Sequence, residues 1–215
     1  ELFELRSYLT AKLLWNPDID QELIVNDFLQ GYYEEAAPFI QEYITTVHEE
    51  LRKDKDFFLF LYGDPSQSFT SFLRPELLKK YDSLYDHAEI AVREKPATLE
   101  RVHRARLSVD YAILEAARIN DPDGYSLIQT NDDGDIEISE DVRNRLSRFR
   151  ETCMKSNITN LNEMRFSLDE YIENYEHTIS KSSQPNIAIG KSVTLLEKPK
   201  KYANEDPQVL TDGAF

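Results

Sequence analysis

The stretch Ile40-Gln41-Glu42-Tyr43-Ile44-Thr45-Thr46-Val47-His48-Glu49-Glu50-Leu51 decides the fold class. Its apolar residues, Ile40, Tyr43, Ile44, Val47 and Leu51, recur at steps of three and four, the period of one face of an α-helix. A half-buried strand would alternate every second residue, and this segment does not. The spacing predicts a helix with Pro38 on its first turn, where a missing N–H costs nothing.

The same period recurs outward from this centre. Leu2, Leu5, Leu9 and Leu13 predict a first helix that stops at Asn16-Pro17, because the residue before a proline is pushed out of the α region. Trp15 falls on its last turn. Asp20 is placed to cap a second helix carrying Leu23, Ile24, Phe28 and Tyr32. Arg74-Pro75-Glu76 opens another helix with Leu77, Tyr81, Leu84, Ala88 and Ala91. Pro96 separates it from one carrying Leu99, Val102, Val109, Ile113 and Ala116, and the two predict a long antiparallel hairpin. Val142, Leu146, Phe149 and Cys153 mark a further helix, and Leu161, Met164, Leu168, Ile172, Tyr175 and Ile179 the last. The expected architecture is all-α, with about seven antiparallel helices in a bundle-like array and a short extended C-terminal tail. Phe57-Phe58-Leu59-Phe60-Leu61-Tyr62 has no readable period and is expected to be a buried strand or a loop plugging the core.

The pattern changes at Lys181. Lys181-Ser182-Ser183-Gln184-Pro185 reads as a linker, and Ile187, Ile189, Val193 and Leu195 alternate as a strand would. Residues 1–180 are therefore expected to form a helical domain, and 181–215 a linker and the start of an incomplete β-sandwich-like module.

Composition narrows the function classes. With 25 Lys and Arg against 40 Asp and Glu, the formal charge is −15, which argues against nucleic acid and against an anionic membrane surface. No apolar run suits a spanning helix. Glu1 opens directly into the first amphipathic pattern, so no leader is legible in these residues. Six Gly and nine Pro are about half the usual combined share, which excludes collagenous and low-complexity classes. Charge is also unevenly placed: 4 basic and 11 acidic residues lie in 1–53, but 9 and 8 in 74–118, which reads first as two differently solvated surfaces and second as two helical layers that attract.

Few residues suggest chemistry. The lone Cys153 lies on an apolar helix face and reads as a structural thiol. His48, His87, His103 and His177 fall on separate helices with no HExxH pair. Glu100-Arg101-Val102-His103 has the spacing of a ferritin-like ligand pair but occurs once, where such a centre needs two. Gln129 to Glu140, with Asn131, Asp133, Gly134 and Asp135, overlays the later part of a calcium loop. Gln129 stands where that loop needs Asp, and an Asp-Gly turn between short strands, with Ser139 capping the next helix, accounts for the same residues. No catalytic residue, metal ligand or cofactor is assigned.

Three stretches carry a family resemblance: Glu4-Leu5-Arg6-Ser7-Tyr8-Leu9 with Lys12-Leu13-Leu14-Trp15-Asn16-Pro17; Phe28-Leu29-Gln30-Gly31-Tyr32-Tyr33 with Ala36-Ala37-Pro38; and Arg101-Val102-His103-Arg104-Ala105-Arg106-Leu107 with Tyr111. They resemble the junction and C-terminal helical domain that follow the barrel in an uncharacterised bacterial glycoside-hydrolase-like family, similar to β-N-acetylhexosaminidases and α-glucuronidases. In that family glycine often follows the tyrosine pair, where this chain has Glu34. Asn186-Ile187-Ala188-Ile189-Gly190-Lys191-Ser192-Val193-Thr194-Leu195 with Leu210-Thr211-Asp212-Gly213 resembles the opening of a discoidin-type carbohydrate-binding module.

The resemblances imply an excerpt of a longer, secreted protein, periplasmic or at the cell surface, whose helical domain buttresses an upstream catalytic barrel and has no activity of its own. Trp15, Tyr32 and Tyr33 are the candidate contacts with that barrel or with a glycan. One rival is that these rings line the barrel's substrate cleft. Another is a free-standing helical protein-interaction module. Arg104 and Arg106, two apart, point to different helix faces, and one of them is expected to pair with a carboxylate in the core.

Overall fold

A computed structural model describes residues 2–60, 63–119, 124–131, 136–161 and 167–182. Within them run seven α-helices: α1 (Phe3–Trp15), α2 (Gln21–Tyr33), α3 (Ala37–Lys53), α4 (Pro75–Ala91), α5 (Pro96–Ile119), α6 (Glu140–Lys155) and α7 (Leu168–Ser182). Two short strands, β1 (Ile128–Thr130) and β2 (Ile136–Ile138), pair antiparallel between α5 and α6 with Gln129 opposite Glu137. The all-α bundle is as expected from the periodicity.

The punctuation residues act where the sequence places them. Asn16 is extended, as its proline neighbour demands, and ends α1. The Asp20 carboxylate accepts from the backbone N–H of Glu22 at 2.9 Å, so it caps α2. Pro75 stands at the start of α4. Asn157, at φ 54, closes α6: its own N–H donates to the Met154 carbonyl and the Ile158 N–H to that of Cys153. Ser139 does hold the N-cap position of α6, but its hydroxyl makes no capping bond.

α5 is the centre of the bundle. One side, with Val102, Ala105, Val109, Ala112 and Ile113, joins a core built with α1 to α4. Another side, with Leu107, Leu114 and Ala117, joins a second core shared with the hairpin, α6 and α7. Leu127 and Ile138 from the hairpin region are buried in that second core, and the Leu127 N–H donates to the Ala117 carbonyl. Tyrosines tie the layers together through backbone oxygens. Tyr85 donates to Ala105 O at 3.1 Å and Tyr175 to Leu114 O at 2.8 Å, so their rings can be buried without orphaning a hydroxyl.

The layer charges meet in cross-layer ion pairs, the second of the two readings the charge distribution offered. Arg104 pairs with Glu4 at 2.9 Å, Lys95 with Glu34 and Glu35, Lys80 with Glu42 and Arg74 with Glu50. Each joins a cation of α4, α5 or the segments leading into them to an acid of the α1–α3 layer. Most are solvated, so they steer layer pairing more than they stabilise it.

Three expectations are corrected. Phe57 to Phe60 is neither a strand nor a core plug: Phe58 is 80 % exposed, with Leu59 and Phe60 also out in solvent. Phe57 packs edge-on against Phe72, and Gln67 clasps the Phe60 backbone from both sides, its amide donating to the carbonyl and its oxygen accepting from the N–H. Leu61 and Tyr62 lie outside the described residues. Leu161 precedes α7 instead of belonging to it; it packs on the second core beside an isolated bridge between Asn160 and Ser167. Met164 lies outside the described residues. Finally, α7 continues through Lys181 and Ser182, past the expected linker start. The rest of the linker, the extended tail and Asp133 to Asp135 of the calcium-like loop lie outside the described residues.

Candidate functional site

The three stretches that carry the resemblance meet in space at Tyr32. Arg101 of α5 lays its guanidinium 4.5 Å from the centre of the Tyr32 ring and donates to the Tyr32 carbonyl at 3.0 Å. One helical turn on, Arg104 donates to the Tyr32 hydroxyl at 2.6 Å and pairs with Glu4 of α1. Phe28 stacks on the same ring at 4.8 Å. Three helices distant in sequence are thus fastened by one tyrosine, an arrangement that no local reading of any one helix could supply.

This geometry sorts the candidate rings. Tyr32 is half-buried, its ring engaged by Arg101 and Phe28 and its hydroxyl by Arg104. Tyr33 is 1 % exposed, edge-on to Phe28 and Tyr32, and burial pushes its hydroxyl well above the ordinary range. It is a core residue with no face for a sugar or a neighbouring domain. Trp15 is 92 % exposed at the far end of α1, and Leu14 beside it is 83 % exposed. Trp15 and Tyr33 stand at opposite ends of the α1–α2 pair, about 20 Å of helix apart, and form no common surface.

Like the segment 58–60, the outward face of α1 is an open apolar surface. Of its residues only Leu5 is buried, while Phe3, Leu14 and Trp15 project into solvent. Apolar side chains on nearly every side of an edge helix are unusual for a surface that only meets water.

The turn after Tyr33 bears on the same junction. Glu34 takes φ 51 and ψ −123, a conformation that favours glycine. Its carboxylate is anchored by Lys95 at 2.5 Å and by the Thr98 hydroxyl at 2.8 Å. The Lys95 and Thr98 hydrogen bonds hold that carboxyl below the usual carboxylate range. Glu34 therefore holds a glycine-like backbone and is tied to α5 by its side chain.

A second constellation is one the sequence did not single out as a whole. Arg106, 2 % exposed, reaches Asp82, Asp86 and Glu89 of α4. Arg145 of α6 reaches Asp82 at 2.8 Å and Asp110 at 2.7 Å; Arg148 also binds Asp110, and Tyr125 donates to Asp82 at 3.0 Å. The sequence pointed to Arg104 or Arg106 as the arginine that pairs in the core, and the structure gives that place to Arg106. Asp82, Asp110 and Arg145 were not legible, since they are separated by up to 63 residues and stand among 40 acids. Burial pushes the Asp82 carboxyl up, but the Arg145 and Arg106 guanidiniums outweigh it and hold the carboxyl below the usual aspartate range. The cluster is closed and internally paired, and joins α4, α5 and α6.

Cys153 is buried, and burial pushes its thiol up to about 12, so it is not a nucleophile near neutral pH. Among the described residues no group of His, Cys, Asp and Glu is set to hold a metal ion, and no helix is long and apolar enough to cross a membrane. Gln129, first position of the calcium-like loop, donates its amide to Glu137 across the hairpin at 2.8 Å.

Comparison with known proteins adds one match. A family model described as a domain of unknown function (DUF4838) matches residues 1–45, which span α1, α2 and the first half of α3 and include Trp15, Tyr32, Tyr33 and Glu34. No curated protein matches the chain, and no solved structure does.

Proposed function

We propose that residues 1–180 are a non-catalytic helical accessory domain of a secreted glycoside-hydrolase-like protein, and that the domain braces an upstream catalytic barrel of the same polypeptide. The observation that carries the reading is α1, a helix that buries Leu5 alone and leaves Phe3, Leu14 and Trp15 facing outward. A cover over that face would remove the apolar surface from water at about 25 cal/mol per Å². The sequence resemblance supplies the nature of the cover, and with it the glycan as a further partner, the discoidin-type module beginning in 181–215 and the periplasmic or cell-surface location. The ion-paired clusters at Tyr32 and Arg106 suit a brace, whose work is to hold shape.

Hydrolysis of a panel of aryl glycosides and uronides tests the reading, using this chain and the natural chain extended upstream through the barrel. Turnover by the extended chain alone is the expected result. Turnover by neither removes the glycosidase context, and turnover by this chain alone would overturn the accessory role.

A further inference from the structure

The segment that follows α3 is apolar where a loop in water is ordinarily polar. Phe58, Leu59 and Phe60 stand in a row and are 80 %, 57 % and 54 % exposed. The backbone beneath them is built to keep them outward. Gln67 donates to the Phe60 carbonyl and accepts from its N–H, and the Gly63 N–H donates to the same carbonyl at 2.9 Å. A Cβ on Gly63 would come within 2.7 Å of the Gln67 amide nitrogen, so the clasp in this form needs glycine there. Asp64 caps the short helix Pro65–Ser68 that carries Gln67, accepting from the Ser66 N–H at 3.0 Å. Side chains held on so fixed a base lose little freedom when they are covered.

A hole for such a ring lies at the same end of the bundle, where α3 ends, α4 begins and α5 ends, with Arg74 pairing to Glu50 across it. Phe57, at the base of the row, packs on Phe72. The neighbouring Phe69, Thr70 and Leu73 wall an apolar pocket of about 190 Å³ with Pro75 of α4 and Ile119 of α5. The pocket offers open apolar surface: Phe69, Leu73 and Pro75 are half-buried and Ile119 is 50 % exposed. An apolar cavity of about 150 Å³ takes a benzene ring, so this one admits a phenylalanine side chain. Within one chain the row and the pocket stay apart, since none of Phe58, Leu59 and Phe60 lines it.

A projecting ring and its hole on one surface make that surface self-complementary, which is what two identical chains need to pair about a two-fold axis. With an aromatic ring carrying about 150–250 Å², two exchanged rows and the walls that receive them cover roughly 1,300 Å² in all, at the small end of the range of specific interfaces. The net charge of −15 opposes self-association, but Arg52, Lys53, Asp54, Lys55 and Asp56, which lead into the row, are three cations and two acids, so the contact itself carries no excess of acid.

We propose that the chain pairs with a second copy of itself through this end of the bundle. Phe58 of each copy enters the pocket of the other, and Leu59 and Phe60 cover Ile119 at its rim. The inference rests on this end of the molecule and does not depend on the accessory-domain reading.

Sedimentation velocity over a concentration series of this chain tests it. The wild type should be dimeric at about 100 µM and dissociate on dilution, as so small an interface implies. Phe58→Ser removes the ring, and Thr70→Trp, at an exposed position on the rim, plugs the hole. Each alone should weaken the dimer about tenfold or more. In a mixture of the two variants one intact ring faces one open hole, so the mixture should associate more tightly than either variant by itself. Far-UV circular dichroism equal to that of the wild type checks each fold, and Ile119→Glu takes the place of Thr70→Trp if the tryptophan disturbs its turn. A wild type that stays monomeric overturns the proposal and leaves the row to a partner other than this chain. A dimer that survives both substitutions, a mixture no tighter than its parts, or open-ended polymers overturn it as well.

Discussion

α1 and α5 read alike as sequences and end in opposite environments. Both carry leucine, valine or isoleucine at helical spacing, yet α1 buries only Leu5, while α5 buries twelve residues that include Arg106 and Asp110. Periodicity thus says that a helix has an apolar face, and not whether the chain itself covers it. α5 is surrounded because α4, α6 and the first layer all pack on it. α1 packs on α2, touches α5 through the Glu4–Arg104 pair and otherwise stops at solvent. The difference separates a helix that stabilises this fold from one that keeps a surface in reserve.

The contrast breaks most sharply at Arg106. Arg106→Met leaves Asp82 and Glu89 with a weaker set of partners inside α4 and α5, and removing one side of a buried charge cluster costs about 3–5 kcal/mol. The variant should melt roughly 10 °C lower. Calorimetry checks this, and a drop of only a degree or two would mean that Arg145 alone satisfies Asp82. Replacing an arginine of similar length on α1, by Arg6→Met, should do far less, because Arg6 stands at the edge of the bundle, where its ring contact with Phe3 is solvated.

Acid acts on the same seam with a smaller effect. Burial holds the His103 imidazole below its ordinary range, against the pull of Glu89. The unfolded chain therefore takes up a proton at higher pH than the native one does. The stability this contributes is present above the ordinary histidine value of about 6.5 and is lost as pH falls through the lowered native value. Asp82 has the same sign in a lower window: its depressed native value gives stability above about pH 4 that is lost on further acidification. The falling net charge on acidification works the other way, so the informative quantity is a difference. Wild type should lose stability relative to His103→Gln between about pH 7 and pH 5. Melting temperatures of the two that run parallel across that range would show that His103 is solvated in the native state.

Much of the helix layout is legible in sequence because it depends on local chemistry. Pro17, Asp20, Pro38 and Pro75 each set a boundary through their own backbone or capping group, whatever the rest of the chain does. The same locality explains the failures. Phe57 to Phe60 carries no period, so composition alone suggested burial, and the Gln67 clasp that holds it outward lies seven residues on from Phe60. Tyr33 and Trp15 look equivalent as rings at helix ends, and only packing tells that one is a core residue. Asp82, Asp110 and Arg145 are three charges on three amphipathic helices until the tertiary fold brings them together.

Glu34 tests the junction that fastens α1 and α2 to α5. Its backbone strain is of order 1 kcal/mol or more, and glycine would relieve it. Glycine also forfeits the solvated links to Lys95 and Thr98, which offsets part of that relief. Glu34→Ala removes the same links and keeps the strain. The expected order of stability is therefore glycine above alanine, read from denaturant midpoints. Alanine equal to or above glycine would show that this backbone is relaxed in solution.

The smallest effect on this chain is expected on α1, and its smallness is the point. Leu14→Ser and Trp15→Ser remove side chains that touch little, so each should change stability by no more than about 0.5 kcal/mol. Ile113→Ala, in the core on α5, should cost about 2–5 kcal/mol and serves as the matched control. In the chain extended upstream the two α1 variants should behave differently. There a covered Trp15 would sit in an apolar contact, and serine would loosen it, lowering the melting temperature of the extended protein while leaving that of the isolated helical chain unchanged. Tryptophan fluorescence gives an independent reading: with Trp15 the sole tryptophan of the chain, its emission in the isolated domain should lie at the wavelength of a solvated indole. If Trp15→Ser destabilises the isolated chain as much as Ile113→Ala, the α1 face is already used within this fold, and the distinction between the covered and the reserved helix collapses.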